Sequence, residues 1–211
     1  MYQEIVDTLY KHSEKDFAQW VKPFLSITDN SDEIVLGVRV PILRKLAKQY
    51  KNIDTVLLEK LLQNNIHEMR ALAIFIMLIK TKKEPEKMCK MYLNNIKWIN
   101  NWDLIDYSAP YIVAPNVSID KLKELAQDNY LWANRVAMVS TIHYIRKNDY
   151  TLALDFAKKF IHHPHHLMHK AAGWMLREVG KRDLNILLDF LSQYSDKMPA
   201  IMRNYAREII K

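Results

Sequence analysis

The sequence is poor in the residues that make tight turns and cross-links. Its 211 residues include three glycines, at positions 37, 173 and 180, and one cysteine, Cys89. So few glycines disfavour a turn-rich β-sandwich and favour long helices. A single cysteine cannot close an intramolecular disulfide, which points to a reducing compartment. With Met88 and Met91 beside it, Cys89 reads as a buried thiol rather than a nucleophile. Residues 1–5 have neither a basic nor a long apolar stretch, so no signal peptide is expected. The longest apolar run, 71–79, is too short to cross a bilayer. The expectation is a soluble, cytoplasmic protein. Walker and dinucleotide glycine patterns are missing, so no nucleotide cofactor is expected. Ser108 has no nearby His–Asp pairing that would make it a nucleophile.

What is abundant is positive charge and helical periodicity. Lys and Arg total 31 against 24 Asp and Glu, a net charge of +7 that suits a polyanionic partner. Leu57, Leu58, Leu61 and Leu62 form a one-sided stripe, as do Leu184, Leu187, Leu188 and Leu191. The 71–79 run is apolar all round and predicts a helix buried between neighbours. Asp54 and Ser118 are suited to cap helix N-termini. The pattern predicts helices near 2–11, 14–26, 39–50, 54–64, 67–81, 84–99, 101–113, 118–128, 131–147, 150–161, 166–180, 183–194 and 198–210. After the first two they pair off with a period of about 33 residues, the signature of an α-solenoid of HEAT or TPR type. No linker or composition shift divides the chain, so one domain over 1–211 is expected.

A basic residue recurs at one position of these repeats. Arg70, Arg135, Lys170 and Arg203 follow one another at spacings of 65, 35 and 33. The first gap is about two periods, and the repeat hidden inside it falls at Trp102-Asp103, where an aromatic and an acid stand instead. On equivalent helices the basic residues would form a ladder facing duplex phosphates. The plain alternative is that each tops a core layer, paired to a carboxylate. Arg39, Arg44, Lys45 and Lys48 share a helix with Leu43, Leu46 and Ala47, and could add phosphate contacts.

Trp102 and Asp106 lie at i and i+4 on one helix face, where ring and carboxylate together could hold a cation. A core Trp with Asp106 pairing elsewhere is the simpler alternative. Asn101 or Asp103 would cap that helix. Arg135 opens a later helix after Leu131-Trp132. Trp174 lies one turn beyond Lys170, next to Gly173, whose bare backbone would admit a large partner. His162, His163, His165, His166 and His169 are dense, but Pro164 interrupts them and no cysteine is near. They read as a partly protonated loop beside phosphate rather than a metal site.

At these positions the sequence resembles the AlkD-type DNA glycosylases, the HEAT-like-repeat enzymes of DNA alkylation repair. The likeness covers the whole chain and is anchored at 37–48, 102–106, 132–137 and 170–178. It implies an all-α, right-handed solenoid of about six HEAT-like hairpins with a concave basic cleft. It also implies hydrolysis of the N-glycosidic bond of cationic N3- or N7-alkylated purines in duplex DNA, by a monomer without cofactor or metal. The four residues it implies for the active cleft are Asp106, Trp102, Arg135 and Trp174. Asp106 would stabilise an oxocarbenium-like sugar and place a water. The tryptophans would pack on the deoxyribose. Arg135 would hold a phosphate. Arg39, Arg44, Lys48, Arg70, Lys170 and Arg203 are the expected DNA contacts. Two other readings stay open: a DNA-binding relative without chemistry, and a protein-binding helical-repeat scaffold.

Overall fold

The computed structural model describes residues 1–25 and 32–210. Among them every regular element is helical, apart from one isolated parallel bridge between Ile34 and Ile66. No helix of the described residues is long and apolar enough to cross a membrane. The chain divides into two compact units, Met1–Leu104 and Ile105–Lys211, with the boundary inside one short helix.

The first unit contains α1 (Tyr2–Lys11), α2 (Lys15–Val21), α3 (Val40–Gln49), α4 (Thr55–Leu62), α5 (His67–Lys80) and α6 (Pro85–Asn94), then the start of α7 (Trp102–Asp106). Its centre is α5, buried without interruption from His67 to Met77; from Ala71 onward it is apolar on every side, and the polar residues of its first turn are paired. Helices α3, α4, α1 and α6 pack against it. Asp54 caps α4 by accepting the Leu57 N–H at 2.7 Å. The stretch from Val35 to Val38 is buried but not helical, so its backbone donors need partners. Glu68 supplies them, accepting from the N–H groups of Leu36, Gly37 and Val38 at 2.9, 2.7 and 3.3 Å. Gly37 sits there at φ 81°, and a Cβ would lie 2.2 Å from the Glu14 carbonyl.

The second unit continues with α8 (Ala109–Ile112), α9 (Ile119–Gln127), α10 (Leu131–Ser140), α11 (Ile142–Ile145), α12 (Thr151–Phe160), α13 (His166–Gly180), α14 (Leu184–Tyr194) and α15 (Ala200–Arg207). Helix α10 packs on α8, α9 and α13, and α13 packs in turn on α12, α14 and α15. The pairs α4/α5, α9/α10 and α12/α13 are successive helical hairpins, and the expected all-α repeat architecture is present.

Several expected helices are shorter or broken. The helix expected at 14–26 is α2, which ends at Val21; Ser26 lies outside the described residues. The helix expected at 101–113 is split into α7 and α8. Pro110 has no N–H to give and its ring opposes the carbonyl four residues back, so it starts a new helix. The helix expected at 131–147 breaks at Thr141, whose hydroxyl bonds back to the Met138 carbonyl at 2.7 Å and tightens the turn.

Gly173 has a different use from the one expected. It is buried against α15, where a Cβ would lie 2.5 Å from the Met202 carbonyl oxygen and 2.7 Å from the Tyr205 Cβ. It lets two helices approach each other rather than admitting a partner. Gly173→Ala is expected to destabilise the fold by about 1–3 kcal/mol through overpacking. A thermal melt matching the parent's would contradict this.

Candidate active site

Asp106 ends α7, and Arg135 stands in the second turn of α10. The arginine fork meets the carboxylate with both arms: Nε donates to Oδ1 at 2.9 Å and Nη2 to Oδ2 at 2.8 Å. Its remaining arm, Nη1, donates to the Leu167 carbonyl at the start of α13 at 2.7 Å. Side-chain exposure is 5% for Arg135 and 15% for Asp106. The arginine is therefore a buried brace, while the carboxylate keeps an edge at the surface. Each of its three nitrogens donates inside the protein, which favours a bracing role over the phosphate contact expected for Arg135.

Trp174 lies half-buried in the middle of α13. Glu178, one turn on, accepts a hydrogen bond from the indole, and also bonds Lys181 at 2.7 Å and Arg182 at 3.4 Å. Burial opposes the charge on Glu178, yet these donors prevail and lower its pKa. Glu178 thus fixes the ring plane of Trp174. The sequence carried the signal for this, an acid at i+4 from the tryptophan.

The histidine run leads into α13. His165 caps it, its Nδ1 accepting the Leu167 N–H at 3.2 Å, and His163 Nδ1 accepts from the His165 N–H at 3.0 Å. Burial first, then neighbouring charge, lowers the pKa of His163, His165 and His169; for His165 the neighbours include Arg135. These surroundings favour the neutral form of the three rings. No cluster of three metal-ligating side chains occurs among the described residues.

In the first unit, Trp102 is half-buried. Its indole donates to the Phe24 carbonyl at 2.8 Å, and its ring packs on Ala18, Leu25 and Val35. Asn101 braces it from below, accepting the Trp102 N–H at 2.9 Å and donating to the Leu25 carbonyl at 2.6 Å. Asp103 does more than begin the helix. His67 lies between two acids, its Nε2 2.8 Å from Asp103 Oδ2 and its Nδ1 2.8 Å from Glu33 Oε1. Burial works against charging His67, but the charge and hydrogen bond of Asp103 and the bond to Glu33 outweigh it, raising the pKa to about 9. His67 is an imidazolium at neutral pH. Sequence reading missed this network, although its members stand 34 and 36 residues apart, one per repeat.

The expected DNA contacts divide by exposure. Arg70 is 2% exposed, donates to the Asn64 carbonyl at 2.7 Å and pairs with Glu33, so it cannot reach a phosphate. It belongs to the buried network instead. Arg203 is half-buried and donates to the Ser195 carbonyl at 3.0 Å. Lys170 is half-buried on α13. Arg39, Arg44 and Lys48 are exposed; Arg39 pairs with Glu14 at 2.8 Å and lies over the Phe17 ring, and Arg44 lies over the Phe75 ring.

A repeated helical hairpin whose buried arginine presents a carboxylate at the surface defines an all-α repeat protein with a candidate acid site. The particular family follows from the sequence: the chain belongs to the DNA alkylation repair enzymes, whose pattern matches residues 5–210. Two solved structures share the fold. A predicted DNA alkylation repair enzyme from Enterococcus faecalis superposes with a TM-score of 0.69 at 13% identity, over 93% of this chain and 96% of that one. AlkD2 from Streptococcus mutans superposes with a TM-score of 0.59 at 15% identity, over 92% of this chain and 97% of that one. No curated protein sequence matches.

Proposed function

We propose that this protein is a DNA glycosylase that releases cationic N3- or N7-alkylated purines from duplex DNA, acting as a cytoplasmic monomer. The observation that carries the proposal is the bidentate Arg135–Asp106 pair, which holds a carboxylate rigidly while leaving it an exposed edge. Family membership supports the repair role.

Alkylation at N3 or N7 makes the base a cation, so it departs as a neutral purine without being protonated. The C1′–N bond breaks with its electron pair going to the base, and the sugar passes through an oxocarbenium-like state. Water attacks C1′, and its proton passes to Asp106 or to solvent. A fixed negative charge beside the developing cation is worth most when it needs no reorganisation. Arg135 provides that fixity. Trp174, its ring set by Glu178, would pack on the deoxyribose. Trp102 opens the helix that Asp106 closes and takes the same part in the proposal. Arg39, Arg44, Lys48, Lys170 and Arg203 remain proposed DNA contacts.

Duplex DNA carrying N7-methylguanine, incubated with the protein, is expected to yield free 7-methylguanine and an abasic site. A gel shift without free base would mark a binder without chemistry. Neither signal would mark a scaffold.

A further inference from the structure

Helix α7 has five residues, too few to hold a position by its own backbone bonds. Side chains of the first unit hold its start. Asn101 ties it to the Leu25 carbonyl at 2.6 Å, and the Trp102 indole ties it to the Phe24 carbonyl at 2.8 Å. A second hold comes from α5. His67 Nε2 lies 2.8 Å from Asp103 Oδ2. Glu33, on the other side of the ring, also accepts from the Asn100 amide at 3.3 Å. Residues 100 and 103, on either side of Trp102, are thus gripped by one buried assembly.

This grip needs a proton. Each nitrogen of His67 faces a carboxylate oxygen at 2.8 Å. A neutral imidazole has one N–H, so its other nitrogen would turn a lone pair towards an acid. Only the imidazolium donates to both. Neither acid is free to turn away. Glu33 also pairs with Arg70, and the second oxygen of Asp103 accepts the Leu104 N–H at 2.9 Å. The His67 side chain is 5% exposed, which leaves little room for water to replace a lost bond. Burial and Arg70 oppose the proton, whereas Asp103 and Glu33 favour it and prevail.

We propose that His67 is a positioning residue for the candidate site: as an imidazolium bonded on both sides, it fixes the start of α7 and with it the Trp102 ring. Its consequence for base release rests on the glycosylase reading, in which Trp102 packs on the sugar. The hold itself belongs to the fold and acts through Asp103.

The first measurement is amide hydrogen exchange of the full chain at pH 7, parent against His67→Gln. The glutamine keeps a donor for one acid but cannot serve both. Exchange over residues 102–106 is expected to rise about tenfold, and by more than over α6 or α13. No rise there overturns the proposal, as does an equal rise throughout, which marks general loosening. Should His67→Gln not fold, Asp103→Asn removes the charge from the other side of the same bond and is measured in its place, with the same result expected.

The second measurement is single-turnover release of 7-methylguanine from duplex DNA at saturating protein, between pH 7 and pH 10. The parent is expected to be about tenfold faster than the variant at pH 7. The ratio of the two rates cancels the substrate's own ionisation. It should fall towards one as pH rises through about 9, where His67 gives up its proton. Equal rates at pH 7, or a ratio constant to pH 10, overturn the positioning role. If the parent releases no base while exchange over 102–106 still rises, the hold on α7 stands and the glycosylase reading fails.

Discussion

Replacing Arg135 by alanine is expected to cost the protein about 3–5 kcal/mol, because it strands the mostly buried Asp106 carboxylate without its counter-charge. Base release should fall with it, since the carboxylate would no longer be held. Arg135→Lys is the sharper probe. It keeps the charge but loses the planar fork that serves both carboxylate oxygens and the Leu167 carbonyl. It should retain more stability than Arg135→Ala, yet still lose most of the release rate. In the double variant Asp106→Leu/Arg135→Met, which removes the positive charge, the salt slope of DNA binding should match the parent's. A slope reduced by about one would return Arg135 to a phosphate role. The double variant Asp106→Leu/Arg135→Met should be more stable than Arg135→Ala alone, since no charge is left buried.

The second large effect is a pH dependence of stability centred on His67. Its pKa rises from an ordinary 6.5 to about 9 on folding. The folded protein therefore binds this proton more tightly than the unfolded chain. The associated stability is present in full below about pH 6.5 and is lost as pH rises through 9. The shift corresponds to roughly 3 kcal/mol. Urea melts taken from pH 6 to pH 10 should show this loss in the parent. His67→Gln, which keeps hydrogen-bonding capacity without the titration, should be less stable at pH 6 and nearly flat across the range. A parent as stable at pH 10 as at pH 6 would contradict a buried imidazolium between Glu33 and Asp103.

Much of this architecture is legible in the sequence because the helix period and the repeat period are both written in apolar residues. The buried α5 follows from the unbroken 71–79 run, and the hairpins follow from the 33-residue recurrence. The breaks at Pro110 and Thr141 are local backbone chemistry that apolar periodicity does not register. The recurring basic residues were visible, but their burial was not. Charge alone does not say whether an arginine faces solvent or a carboxylate on a neighbouring helix. Arg70 and Arg135 both turn inward, to Glu33 and Asp106, each about one repeat earlier in the chain. The plain reading of the ladder therefore holds for these two, and the more exposed Lys170 and Arg203 remain candidates for DNA. Asp106 and Trp174 can be proposed from local spacing and resemblance, whereas Glu33, His67 and Asp103 meet only through tertiary packing.

The proposed glycosylase uses a carboxylate braced by a buried arginine to break the glycosidic bond. Its most direct test is single-turnover release of 7-methylguanine from duplex DNA by the parent and by Asp106→Asn, compared at equal DNA occupancy. The asparagine retains one acceptor for Arg135 but carries no charge to place beside the sugar cation. The variant is expected to bind the duplex and to release base on the order of a hundredfold more slowly, or worse. Equal release rates would contradict it.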